Sequence, residues 1–457
     1  MIGRLPGFLL LMGLAGPVAA QTGNPPPPSS PFRYDDDPKP VAGAPTDDFY
    51  AKIKFIPLTD DSYLSFGADL RERVEASNVA LLGFRNLGSE TYDLHRLLVY
   101  ADLQLGSDVR VFGQLGNHDE AGRRPGALPT DVDRFDLQQA FVDLSHAIGE
   151  GRATLRVGRA EMSYDDGAII GLRDGPNVRQ VWDGVRASYV TNGWKWDAFA
   201  VQPVSVLRGV FDDRGLPGQT LEGVHVSGTL SDALGLDAFW YHNRNPSVAL
   251  LGAAGAERTD TFGVRIRERT GPFDGSVGVI GQSGTAAGGR DVRAFSLHGD
   301  AGWVFANAPW SPHLTLRADV LSGGPATKNR VSTFNALYPN VAYSTEATIE
   351  APANLIQVGT VLRASPTAKL NLQYTLEGLW RYSVRDAFYA PPLLPLVVPD
   401  GRNDRFTGIE QQVSGSWRAN PFVTVGAALV RFSAGDFVKR GGGHDETFAM
   451  LSAALRL

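Results

Sequence analysis

The sequence predicts an all-β fold: a transmembrane antiparallel β-barrel of about eighteen strands in a single domain. Three observations predict it. From Tyr63 to Leu457 the chain divides into about eighteen segments of alternating polarity, each near the ~9–11 residues that a tilted strand needs to cross a bilayer. The gaps between them run short, long, short, long without a break, as tight periplasmic turns and longer outer loops require. Mean hydropathy is -0.13, and no stretch after the first twenty residues is apolar over the ~20 residues of a spanning helix.

Taken in order, residues 1–20 read as an export signal. Arg4 gives a weakly basic start, Phe8-Leu9-Leu10-Leu11-Met12 an apolar run, and Val18-Ala19-Ala20 a cleavage site of small residues. Residues 21–60 hold Pro25-Pro26-Pro27-Pro28 and Asp35-Asp36-Asp37. Such a tail favours extended, solvated backbone in the periplasm, as a linker or as a contact for periplasmic secretion partners.

Residues 61–457 form the barrel. In Tyr63–Glu75, Leu64, Phe66, Ala68, Leu70 and Val74 share one face, and Ser65, Asp69, Arg71, Arg73 and Glu75 the other. The charged face must be wet; in a barrel it lines the lumen. Compact turns are expected at Gly106-Ser107-Asp108, Asn192-Gly193, Ser231-Asp232, Thr270-Gly271-Pro272, Ser365-Pro366-Thr367 and Asn420-Pro421. Long outer loops are expected at Asn117–Asp133, Ser163–Val181, Leu207–Leu221, Asn243–Glu257, Ser322–Ala351 and Ser383–Asp404. The last strand, Thr447–Leu457, alternates Ala449, Leu451, Ala453, Leu455 and Leu457 on one face, and ends in Leu where such strands usually end in an aromatic residue. Lipid and the outer membrane are the expected surroundings.

Extending the parity places Arg71, Arg73, Arg96, Arg110, Arg156, Arg186, Arg265, Arg267, Arg317 and Arg363 toward the lumen, with Asp69, Asp102, Asp300, Asp319, Glu75, Glu377 and Glu410. The basic set contains no lysine. Guanidinium forks suit carboxylates and keep their charge when partly desolvated, and a charged ring sets a pore's ion preference. For any single arginine, pairing with a lumen carboxylate is the simpler role. The collective excess, in a chain of net charge -6, predicts a preference for anions.

One stretch is specific: Val157-Gly158-Arg159-Ala160-Glu161-Met162-Ser163-Tyr164, then Gly167-Ala168-Ile169-Ile170-Gly171-Leu172-Arg173-Asp174-Gly175-Pro176-Asn177-Val178-Arg179, closing on Trp182-Asp183-Gly184-Val185-Arg186. It resembles the signature of the alginate export family. Fainter echoes are Gln138-Gln139-Ala140-Phe141, Ser322-Gly323-Gly324 and Thr333-Phe334-Asn335-Ala336-Leu337-Tyr338-Pro339. Ala168 stands where the family has Arg, and Trp182 where it has Phe. The resemblance implies an eighteen-stranded barrel that passively exports a polyuronate through a narrow electropositive pore. Together with parity it nominates Arg71, Arg73, Arg96, Arg110, Arg156, Arg159, Arg173, Arg179, Asp183, Arg186, Arg265 and Arg267 as the substrate path. Arg156 and Arg159 cannot both face inward without a bulge.

Other chemistry is poorly supported. Cys is absent, which excludes disulfides and cysteine-based metal or redox centres. The mild acidity argues against nucleic-acid binding. The eight His lack metal-ligand spacing. His118-Asp119-Glu120 and His444-Asp445-Glu446 offer cation ligands but read more simply as solvated loops. No catalytic constellation, metal centre or cofactor is expected. Function therefore narrows to export of an anionic polysaccharide, uptake of small anions or sugar acids, or a plugged barrel whose loops 163–181, 322–351 and 383–404 serve adhesion or assembly.

Overall fold

A computed structural model describes residues 30–39, 49–250, 252–325, 327–340 and 342–457; the expected export signal at 1–20 lies outside them. Eighteen strands form the wall: β1 (Tyr63–Ser77), β2 (Glu90–Leu105), β3 (Val109–Ala121), β4 (Asp133–Ile148), β5 (Gly151–Glu161), β6 (Val181–Thr191), β7 (Trp194–Ser205), β8 (Thr220–Thr229), β9 (Leu234–Leu250), β10 (Ala253–Thr270), β11 (Phe273–Ala286), β12 (Arg290–Val304), β13 (His313–Leu321), β14 (Leu355–Thr367), β15 (Leu370–Arg381), β16 (Phe406–Arg418), β17 (Val423–Ala434) and β18 (Glu446–Arg456). Each pairs antiparallel with its sequence neighbours, and β18 pairs back to β1, Asp69 facing Arg456 and Ser77 facing Phe448. That last ladder closes the sheet, so no row of unpaired backbone groups meets lipid.

The two faces of the wall differ as the alternation predicts. Along β1, Ser65, Arg71, Arg73, Glu75 and Ser77 are buried toward the lumen, while Phe66 is exposed. Outward residues such as Val99, Val142, Val264, Val279, Leu316, Val358 and Leu429 are exposed and make the apolar belt. Trp196, Trp303, Trp310 and Trp417 are exposed beside the short turns; amphipathic rings of this kind favour the membrane–water boundary.

The short turns fall where expected with one shift. Pro366 lies within β14 at an irregularity between Ala364 and Thr367, so that turn is at Ala368-Lys369. A bulge suits proline because no ladder donor is needed there. The expected long loop at Asn243–Glu257 is corrected: β9 and β10 stay paired out to Leu250 and Ala253, with a register shift between Asn245 and Val248. Residues that break regular alternation, Pro246 among them, are absorbed by the bulge, and the hairpin continues past the belt. The link between β11 and β12 is also short, so the long–short rhythm fails at two outer connections.

Two outer loops turn inward. Segment 162–180 carries Met162, Tyr164, Ile169 and Ile170, and segment 322–354 carries Phe334, Ala336 and Ile349; all are buried in one cluster with the inward wall residues Trp182, Phe199, Leu221, Tyr241 and Ile280. Apolar side chains in both loops and on the lumen face leave water by meeting each other. The segments zip along their backbones: Tyr338 N–H donates to Ile169 O (2.9 Å), Gly171 N–H to Tyr338 O (2.8 Å) and Asn340 N–H to Gly167 O (2.8 Å).

The Pro/Asp-rich tail is not solvated throughout, which corrects that expectation for its described part. Residues 30–38 dock against the lumen wall because Phe32, Arg33 and Tyr34 interrupt the proline and aspartate runs. Tyr34 is buried edge-on to Phe141 with ring centroids 5.5 Å apart, and its hydroxyl donates to Glu161 O (3.0 Å). A helix, Phe49–Lys54, follows beside the mouth.

Candidate functional site

The inward loop 162–180 packs against the lumen face of the wall. Asn177 anchors that loop. Its buried side-chain amide donates to the carbonyls of His95 (2.8 Å), Asp119 (3.1 Å) and Asp131 (3.1 Å), and its N–H donates to Asp131 Oδ1 (2.9 Å). The turn Asp174-Gly175-Pro176-Asn177 is thereby fixed, and Asp174 is held among guanidiniums. Arg179 Nε lies 2.6 Å, Arg96 Nη2 2.8 Å and Arg71 Nη1 3.9 Å from Asp174 Oδ1. Arg71 also donates to Asp174 O (2.8 Å) and Asn177 Oδ1 (3.2 Å). Burial alone would raise the Asp174 carboxyl; Arg179, Arg96 and Arg71 outweigh it and hold it well below 3.8.

The only other carboxylate touching these arginines is Glu161, 3.5 Å from Arg179 among the described residues. Three guanidiniums therefore face two carboxylates. The Asp174 side chain remains 46% exposed, so the cluster opens to the lumen. Arg73 is shared between Glu75 and Glu346, the latter 3.2 Å away on the other inward loop. Arg173, expected on the path, donates to Pro339 O (3.3 Å) and so ties one inward loop to the other.

The docked tail closes on this cluster from the periplasmic side. Arg179 donates to Pro31 O (3.1 Å). Arg33 forks onto Asp69 and pairs with Asp36 at 2.9 Å. The Arg156 guanidinium lies 4.1 Å from the Tyr34 ring centroid and 3.8 Å from that of Phe141. Beneath lies a cavity of ≈ 710 Å³ whose lining includes Arg33, Asp36, Lys54, Tyr100, Lys369 and Arg456. On the far side of the barrel, a second cavity of ≈ 480 Å³ is lined by Ala168, Arg265, Arg317, Arg363, Asp300 and Asp319 among others.

The remaining nominated residues divide by register and partner. Arg110 forks onto Asp102 (2.8 and 2.6 Å) and Arg156 onto Asp143 (2.8 and 2.8 Å). Arg265 meets Asp166 (2.5 Å), and Arg267 meets Asp237 (2.8 Å). Arg186 makes no ion pair among the described residues, and its buried Nε has no hydrogen-bond partner. Arg159 and Asp183 face each other in the register on the parity opposite Arg156 and Arg186. They fork together at 2.8 and 3.0 Å, with Arg159 also donating to Leu137 O and Asp213 O. No bulge interrupts β5, so this pair braces the outside of the wall and does not line the lumen. Sequence reasoning missed Asp174 as the centre of the site, and Glu346 and Tyr34; the even spread of arginines along the motif was the available signal for Asp174.

The profile of the alginate export family matches residues 62–452. The chain belongs to the alginate export family. No curated protein matches it by sequence. Solved structures with a similar fold include Pseudomonas aeruginosa OccD3 (OpdP), with a TM-score of 0.60 and 11% identity over 88% of this chain and 92% of that one. Pseudomonas aeruginosa OccK8 (OprE) gives a TM-score of 0.57 and 11% identity over 88% of this chain and 100% of that one. Pseudomonas aeruginosa OccK5 (OpdH) gives 0.56 and 12% over 88% and 100%. Family and fold make this an outer-membrane channel.

Proposed function

We propose that the barrel passes an anionic polysaccharide, a polyuronate or its fragments, passively across the outer membrane. The observation that carries this reading is the convergence of Arg71, Arg96 and Arg179 on Asp174. Asp174 behaves as a resident stand-in for the carboxylate of a passing uronate. A sugar acid arriving at Arg96 or Arg71 exchanges with it, so that binding is favourable enough to enter and weak enough to leave. Guanidinium forks suit this exchange because each donates two parallel hydrogen bonds to a carboxylate. The carboxylate pairing of Arg110, Arg156, Arg265, Arg267 and Arg317 supports a wall role for those residues and weights anion recognition toward the cluster at Asp174.

Single-channel recording in a planar bilayer under a salt gradient tests the proposal. Anion-selective current, blocked by added polyuronate more strongly as the polymer lengthens, is the expected result. Block that does not depend on chain length would favour a porin for small sugar acids. Cation selectivity, or a barrel without conductance, would overturn both, the latter leaving adhesion or assembly by the outer loops.

A further inference from the structure

Where β3 ends and β4 begins at the outer rim, the carboxylates of Asp133, Asp136 and Asp213 each place an oxygen within 4.8 Å of the other two. Asp133 and Asp136 come from β4. Asp213 comes from the loop between β7 and β8, which arches back to the same point. Among the described residues no Lys or Arg forms an ion pair with any of the three. The nearest guanidinium, Arg159, is committed to Asp183 and reaches Asp213 only through its backbone carbonyl (3.3 Å). Three carboxylates this close repel one another unless a cation or protons intervene.

A second observation points into the cluster. His118, on β3, is 1% exposed, and neither ring nitrogen has a hydrogen-bond partner. Its Nδ1 is aimed at Asp133 Oδ2, 3.6 Å away. Asp133 Oδ1 is likewise buried and unpartnered. Buried polar atoms are nearly always satisfied, so an imidazole and a carboxylate left incomplete beside two further carboxylates describe a site short of its ligand. The backbone already shapes it: Asp212 and Asp213 N–H donate to Asp136 Oδ2 (2.7 and 3.1 Å), and Leu207 N–H donates to Asp213 Oδ1 (2.6 Å).

We infer that Asp133, Asp136 and Asp213 bind one divalent cation of the hard, oxygen-seeking class, Ca²⁺ foremost, with His118 orienting Asp133 from behind. Carboxylate oxygens are the ligands that class takes, and polar groups behind a ligating carboxylate help to hold its orientation. The ion would pin the β7–β8 loop to the rim of the wall. The other grouping of this kind, Asp165, His225 and Asp237, is a weaker case because Arg267 already pairs with Asp237 at 2.8 Å.

The test uses the full chain refolded without lipopolysaccharide and titrated calorimetrically with CaCl₂, MgCl₂ and ZnCl₂ separately. The expected result is one Ca²⁺ per chain at millimolar or lower concentration, lost in Asp213→Asn and weakened about tenfold in His118→Leu. Asp213 sits in a loop, so the barrel should fold without it, and heat-modifiable gel mobility verifies that. Two results would overturn the inference: no Ca²⁺ uptake by the parent protein at 1 mM, or undiminished stoichiometry in a folded Asp213→Asn variant. Zn²⁺ binding more tightly than Ca²⁺, and lost in His118→Leu, would also overturn the assignment of class.

Discussion

Asn340 and Gly167 join the two inward loops through their backbones. The Asn340 N–H donates to Gly167 O at 2.8 Å, and a Cβ on Gly167 would lie 2.2 Å from Asn340 Nδ2. Gly167 has φ +76°, and a Cβ on Gly171 would lie 2.6 Å from the backbone N of Asn340. Both glycines of the motif thus serve a junction between two loops. Gly171→Val forces that junction apart, because backbone cannot yield as a flexible side chain would. The expected outcome is a larger single-channel conductance with an unchanged folded barrel, read by bilayer recording beside heat-modifiable mobility.

Ion preference should follow the cluster at Asp174 and ignore the pair at Arg159. Replacing Arg71 or Arg96 by Gln removes a guanidinium from a site that holds three against two carboxylates. The anion-to-cation permeability ratio should fall several-fold in each variant. Arg159→Gln leaves the ratio unaltered, since that side chain is on the outside of the wall with Asp183. Reversal potentials under a salt gradient measure all three.

Much of this was legible in the sequence, for a physical reason. Strand alternation is a local consequence of one wet and one lipid face, so Arg71, Arg96 and Arg156 could be placed from parity alone. Motif segments 157–186 and 333–339 were recognisable, but their contact across the lumen was not, because residues such as Ile170 and Tyr338 are distant in sequence. Docking of Tyr34 was hidden by its neighbours: two aromatics and one arginine among prolines and aspartates do not announce a partner 127 residues away at Glu161. The continued hairpin at β9–β10 was missed because Asn245 and Pro246 read as loop when a bulge can hold them.

The docked tail should limit current from the periplasmic side. Removing residues 21–38 exposes the Arg179 and Arg156 guanidiniums and empties the space held by Arg33 and Tyr34. Conductance should rise by about twofold or more if pore area is limiting at that point, following the reasoning that filters are set by their constriction. Tyr34→Ala should give part of the effect. Conductance equal to the parent's in the deletion variant would show that the tail lies off the path.

Docking should also tighten with alkaline pH, through Lys54. Burial and the nearby Arg33 lower its pKa from 10.5 to about 8, against the opposing pull of Asp36, Asp69 and Asp102. The rings of Tyr50 and Tyr100 face the ammonium, 5.8 and 4.7 Å from centroid to Nζ. Below pH 8 Lys54 is charged both docked and undocked, and docking bears the desolvation cost. Between about 8 and 10.5 the docked amine is neutral while the free one still holds its proton, so rising pH favours docking. Conductance should therefore decline from pH 7.5 to 10, and Lys54→Met should abolish the decline.

Ala168 offers a gain-of-function test. It lines the cavity shared by Arg265, Arg317 and Arg363, at the position where the family resemblance supplies an arginine. Two of those guanidiniums already have carboxylate partners, Asp166 for Arg265 and Asp319 for Arg317. Arg363 instead donates to Gln373 Oε1 (2.9 Å) and is exposed. Ala168→Arg would add a second guanidinium without an acidic partner to that cavity. Anion selectivity should increase and polyuronate block should deepen, by a factor of a few for one added charge in a partly solvated site. If Asp300, 3.6 Å from Arg265, captures the new side chain, selectivity will not move. Repeating the measurement in Asp300→Asn then separates a captured arginine from a cavity that lies off the substrate path.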